Sequence, residues 1–161
     1  MDWSRLFTMQ KNLDSYIESN HNLEGKNIFQ EKYLALLVEL GELANETRCF
    51  KFWSNKPRSN EEVILEEYVD GIHFILSLGI EKGLIFHSEV QVLSSKSETE
   101  QFNEVFDLCV MFKNQPSQEN YNRLFISYIQ LGKLLGLSEE DLQNAYLKKN
   151  EINYERQNQG Y

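Results

Sequence analysis

Cysteine and proline occur only twice each in 161 residues, and bases are outnumbered by acids, 16 to 25. Each scarcity excludes something. Cys49 and Cys109 have no CxxC spacing, so neither a disulfide framework nor a zinc knuckle is suggested. Two isolated thiols fit a reducing cytoplasm. A formal charge of −9 argues against general binding to nucleic acid or to an anionic membrane, since the bulk charge would repel a polyanion. A small anionic substrate stays compatible where cations or local basic residues offset that field. No stretch approaches the roughly 18 uninterrupted apolar residues of a membrane span. The start, Met1-Asp2-Trp3-Ser4, lacks the basic and apolar regions of a leader. A soluble, cytoplasmic protein without membrane contact is therefore expected. Also missing are an internal repeat, a GxxxxGK phosphate loop and any alternation long enough to build a sheet.

What is present is helical periodicity from end to end, broken at Pro57 and Pro116. The length suits one domain, residues 1–161, with a substantial core. An all-α bundle of about five to six helices is predicted. The first helix, about 3–19, turns Trp3, Leu6, Phe7, Leu13 and Ile17 to one face, and a second, about 27–47, has a stripe through Phe29, Tyr33, Leu36, Leu37, Leu40 and Ala44. Ser59 and Glu62 have capping-box spacing and open a third helix that ends near Gly83. Residues 94–98 read as a loop, 102–112 as a short amphipathic helix that could be a lid or subunit contact, 118–135 as another helix, and Ser138 caps the last.

Two acidic pairs stand out, Glu39 with Glu42 and Glu67 with Asp70, each spaced i, i+3 and so on one helix stripe. If the stripes face each other, four carboxylates converge. At an effective dielectric near 20 and a separation of about 5 Å, each like-charged pair repels by roughly 3 kcal/mol, so the cluster calls for protons or metal cations. A solvated acidic flank is the competing account for the first pair. The second pair lies on a helix apolar nearly all round, where acids without a partner are costly. Phe74 follows Asp70 by one turn, placed to stack on something held beside the metal, and Glu66 points about 100° away from Glu67, to support the acids from behind or to face solvent.

Between the pairs, residues 47–60 contain Arg48, Lys51, Lys56 and Arg58 and no acid, which suits a phosphate-bearing ligand beside metal-binding carboxylates. Phe50, Phe52 and Trp53 interleave with them, either to cover a base or to anchor the loop, with at least one expected to reach the core. On the last helix, Lys149, Asn153 and Arg156 continue the inner stripe of Leu142, Ala145 and Tyr146, suiting phosphate oxygens and a polar edge. Cations near a helix C-terminus account for the lysine equally well, but not for Asn153. Gln10 and Asp14 fall inside the apolar face of the first helix. An inward carboxamide has either a structural partner or a ligand.

These residues together resemble the dimeric all-α dUTPase family, within the MazG-like helical nucleoside triphosphate pyrophosphohydrolases. The resemblance rests on the ExxE of Glu39 and Glu42, the ExxD of Glu67 and Asp70 with Gly71-Ile-His73-Phe74 after it, Gln10, and the tail from Tyr146 through Lys149, Asn153, Arg156 and Gln157. It covers most of the chain except about 87–115, a variable segment. It implies a homodimer that hydrolyses dUTP to dUMP and pyrophosphate, with two or three magnesium ions on the four acids. It gives Glu39 the role of orienting or deprotonating the attacking water. Lys149, Arg156 and some of Lys51, Lys56 and Arg58 would hold phosphates, and Trp53 and Phe74 would pack on the base and deoxyribose. Gln10 could bond a uracil carbonyl and N3–H together. An amide can flip to serve cytosine, so uracil preference requires something that orients Gln10, such as Asn153 or a backbone group. A sister enzyme acting on dCTP or a broader set of nucleotides, and a non-catalytic helical interaction module, are the alternatives.

Overall fold

The computed structural model describes residues 1–87 and 95–161, and these form α1 (Trp3–Asn20), α2 (Phe29–Thr47), α3 (Glu61–Glu81), α4 (Glu98–Asn114), α5 (Gln118–Leu134) and α6 (Glu139–Asn158). The all-α expectation holds, with six helices sharing one hydrophobic core. No helix among the described residues is long and apolar enough to cross a membrane.

The centre is α3, as its nearly continuous apolar surface requires. It packs against α1, α2, α5 and α6, and 11 of its 21 residues are buried. On the α5 side the fit is made by tyrosines over glycines. Tyr68 Oη donates to the carbonyl of Tyr128 at 2.9 Å, and Tyr128 Oη returns a bond to the carbonyl of Tyr68 at 2.8 Å. Their rings stack at 4.5 Å. A Cβ on Gly71 would lie 2.1 Å from Tyr128 Oη, and one on Gly132 2.5 Å from Tyr68 Oη, so the absence of a side chain is what admits each hydroxyl. This double lock sets the rotation of α3 and turns Glu67 and Asp70 away from α5, toward α2 and α6.

Three local expectations change. The cap of α3 is Asn60, whose Oδ1 accepts from Val63 N at 3.1 Å. Ser59 is spent elsewhere: its hydroxyl bonds the Glu46 carboxylate and its N–H donates to the Glu46 carbonyl, tying the end of the basic loop back to α2. The helix expected over 102–112 is longer, Glu98–Asn114, because Ser97 and Glu100 form a reciprocal capping box ahead of the apolar run. Glu98 thus belongs to a helix and not to the loop, while Ser94 lies outside the described residues. Finally, none of the three loop aromatics reaches the core. Phe50 is exposed, Phe52 is 93% exposed and Trp53 is 64% exposed. They pack edge-to-face on one another, Trp53 against Phe50 at 6.0 Å and Phe52 at 5.0 Å. Cys49 packs against the core in their place, its carbonyl accepting from Thr99 Oγ1 at 3.1 Å.

Candidate active site

Packing of α2 on α3 brings Glu39, Glu67 and Asp70 together, with one carboxylate oxygen from each within 4.8 Å of the others. The cost of that proximity shows in their proton affinities. Glu39 is pushed up to about 7 by burial and then by the charges of Asp70, Glu42 and Glu67. Glu67 rises to about 7 for the same reasons, with Glu42 its largest charge neighbour. Asp70 is also raised by burial, opposed by Lys149. A cluster that clings to protons near neutrality is short of positive charge. Its donors are all hard carboxylate oxygens, the set that Mg2+ prefers, and nothing in it favours a soft metal.

Glu42, expected as the fourth member, is more exposed and stands outside the converging oxygens. It lines a separate open hollow with Val38, Gly41, Asn45, Glu46 and Glu67. Residues 36, 40 and 43 take the inner face of α2, which leaves position 42 on the outer edge of its stripe. Of the two places expected for Glu66, solvent or a supporting position behind the acids, the structure shows the second, and it helps hold a cation. Lys149 on α6 lies 2.7 Å from Asp70 Oδ2 and 2.9 Å from Glu66 Oε1, and this pairing keeps the Glu66 carboxyl below its usual range.

From the cluster a cleft of about 500 Å3 runs between α1, α2, α3 and α6, lined by Glu39, Asp70, Phe74, Lys149, Asn153 and Arg156 and reaching Gln10, Asp14, His73 and Ser77. That volume suits a small organic ligand. Six of the residues singled out from the sequence thus line one cleft with Gln10, while Lys51, Trp53 and Lys56 do not line it. The basic loop is internally engaged: Arg48 donates to the Lys56 carbonyl at 3.1 Å and to Ser54 Oγ at 2.7 Å, Arg58 pairs with Glu98 at 2.5 Å, and Lys51 bonds Asn45.

Gln10 is buried, and its carboxamide is bonded by three side chains. Nε2 donates to Asp14 Oδ1 at 2.7 Å, and Oε1 lies 2.7 Å from His73 Nδ1 and accepts from Tyr146 Oη at 2.9 Å. Its oxygen therefore has no lone pair left for a ligand, contrary to the expectation of a two-bond contact with uracil. Nor do Asn153 or a backbone group orient it; Asp14, His73 and Tyr146 do. Ser77 Oγ closes the network on Asp14 Oδ2 at 2.6 Å, and Lys32 stands 3.7 Å from the same oxygen. Burial drives His73 down to about 3, so its ring is neutral. It stacks on Tyr146 at 4.2 Å. The inward placement of Gln10 and Asp14 one turn apart was the signal for this network, but its partners on α3 and α6 come from tertiary packing.

An all-α domain whose central helix pair offers converging carboxylates at one end of a nucleotide-sized cleft, with a cation beside them and a polar network at the other end, has the layout of a helical phosphohydrolase. The sequence profile described as dUTPase matches residues 2–161. The chain belongs to the dUTPase family and is accordingly an enzyme with dUTP diphosphatase activity. No curated protein matches it closely. The reading as a non-catalytic helical module falls with the family match.

Proposed function

We propose that dUTP is hydrolysed to dUMP and pyrophosphate at the α2–α3 carboxylates, with magnesium as the metal. The convergence of Glu39, Glu67 and Asp70, two of them lifted to about 7, carries this reading, because such a cluster gains most from a divalent cation. Magnesium bound there would polarise the phosphate oxygens and the attacking water. Glu39, Glu67 and Asp70 would hold it, with Glu42 reaching in from the outer edge to complete the four acids. Glu39, the first acid of the ExxE pair and a member of the converging cluster, would orient the water and take its proton. Lys149, already against Asp70, has a third N–H for a phosphate oxygen. Arg156 at the mouth of the cleft adds a second cation. Lys51, Lys56 and Trp53, on the exposed loop, would serve a ligand that extends past the cluster. Toward the inner end, Phe74 would pack on the base, and Gln10 and Asn153 would read its polar edge.

A homodimer fits the α2 surface, where Leu34 is 62% and Val38 49% exposed one turn apart. Free Cys49 and Cys109 fit a cytoplasmic setting. The test is turnover of dUTP, dCTP and UTP with magnesium and with chelator. Magnesium-dependent preference for dUTP is expected, and equal turnover of the three would sink the uracil-specific reading in favour of a broader pyrophosphohydrolase.

A further inference from the structure

We infer that Asp14 sets base selection by fixing the direction of every hydrogen bond around Gln10, which leaves a Gln10 N–H to meet the base. The inference rests on the cleft being the dUTP site. All the other members of the network are ambivalent. A glutamine amide reads the same after a flip, a tyrosine or serine hydroxyl donates or accepts, and an imidazole exchanges tautomers. An ionised carboxylate only accepts. Burial raises the proton affinity of Asp14, opposed by Ser77, Lys32 and Gln10; with the Ser77 hydroxyl 2.6 Å from Oδ2 and the Lys32 ammonium 3.7 Å from the same oxygen, the groups that face the carboxyl are donors and it accepts. The Gln10 atom 2.7 Å from Asp14 Oδ1 must then be the nitrogen, which turns Oε1 to His73 and Tyr146 and obliges both to donate.

The consequence passes to His73. Neutral in its buried place, it has one ring proton, and the bond to Gln10 Oε1 puts that proton on Nδ1. Nε2 is left a lone pair, and it is buried with no partner among the described residues. An unpaired acceptor is tolerated in a protein interior more readily than an orphaned N–H, which agrees with this tautomer. Gln10 and His73 both line the cleft. Gln10 has a second Nε2 hydrogen beyond the one given to Asp14. Uracil presents a carbonyl beside N3–H where cytosine presents an amine beside a bare N3. A fixed N–H donor at that edge complements the uracil carbonyl and opposes the cytosine amine. Asp14 is thus a positioning residue, acting through Gln10, with the His73 tautomer as the readout of the bond direction.

Two measurements test this on the full chain. Without substrate, 15N spectra of the imidazoles should show His73 in the Nδ1–H form; the Nε2–H form would overturn the inference. For turnover, kcat/KM is compared between dUTP and dCTP, which share the triphosphate, so a merely structural defect lowers both alike. In Asp14→Asn, whose amide lets the network reverse, the dUTP preference should fall by about 10- to 100-fold, with dCTP turnover rising. Tyr146→Phe removes a bond of similar length while leaving Asp14 in place, and should keep the preference within about threefold of the unaltered protein, a loss well short of a missing buried partner. A folded Asp14→Asn protein with undiminished preference refutes the role of Asp14 alone. Equal turnover of both nucleotides by the unaltered protein strikes the uracil reading itself, and this inference with it.

Discussion

Replacing Glu67 by glutamine should make the metal-free protein more stable above neutral pH while removing its activity. The carboxyl of Glu67 binds its proton with a pKa of about 7 in the folded protein against an ordinary 4.5, through burial and the charges of Glu42 and Asp70. The folded state therefore holds that proton more tightly than the unfolded chain. The resulting stability is fully present below about pH 4.5 and is lost as the pH rises through 7. A rise from 4.5 to about 7 corresponds to roughly 3.4 kcal/mol without screening. Glu67 is only partly buried, so solvent cuts this to about 1–1.5 kcal/mol. Glutamine mimics the protonated side chain and does not incur the loss. In a domain of this size the difference is worth about 3–6 °C in melting temperature.

The assay is thermal unfolding by circular dichroism, with chelator, from pH 5 to 8.5. The two proteins should melt nearly together at the acid end and separate as the pH passes 7, with Glu67→Gln the higher. His73, held down to about 3, contributes the same background to both and cancels in the difference. Added magnesium should reverse the order, because the variant has lost a ligand, and turnover of dUTP should drop by about 100-fold or more. Parallel melting curves, or a variant less stable at pH 8 in chelator, would refute the claim that repulsion among these carboxylates is relieved by protons or metal.

Glu42→Gln, at the outer edge of the cluster, should lose activity and show a smaller magnesium-induced rise in melting temperature than the unaltered protein; full activity would remove Glu42 from the metal site. Gly71→Ala places a methyl 2.1 Å from Tyr128 Oη, which must shift and give up its bond to the Tyr68 carbonyl, at a cost of about 2–4 kcal/mol from overpacking and the lost bond. Denaturant unfolding measures it, and a change under 1 kcal/mol would show that the tyrosine lock is soft. Sedimentation at micromolar concentration should give a dimer, and Leu34→Lys should weaken it; a monomeric unaltered protein would refute the α2 interface.

Much of this molecule could be read from residue types and spacing, and the parts that could not share a cause. The central helix was legible because α3 is apolar on nearly every side, so its two acids had to be explained. Convergence of Glu39 with Glu67 and Asp70 followed from two stripes facing each other. Spacing could not exclude Glu42, since i, i+3 neighbours share a stripe and only the rotation of α2, set by Leu36, Leu40 and Leu43, decides which of them turns inward. The α3 cap moved by one residue because Ser59 was claimed by Glu46, thirteen positions earlier in the chain. The loop aromatics pack on each other, a choice that composition does not encode. Gln10 and Asp14 were recognisable as inward polar residues, but that they are joined by a histidine from α3 and a tyrosine from α6 is a fact of tertiary packing.

The two ends of the cleft solve opposite electrostatic problems along one helix. Glu67, Asp70, His73 and Ser77 follow each other at three- and four-residue steps on α3, and at 1.5 Å per residue they span about 15 Å. At the first end the carboxylates are crowded together and under-compensated, so their proton affinities rise and a divalent cation gains the most by binding there. At the other end Asp14 is saturated by Gln10, Ser77 and Lys32, and the histidine is kept neutral. One end is poised to exchange charge, the other to hold a fixed pattern of donors and acceptors. A triphosphate chain with its metals needs the first, and a neutral base that differs from its rival only in the placement of protons needs the second. Because α3 carries both, the tyrosine lock that sets its rotation on α5 orients Glu67, Asp70 and His73 in a single step.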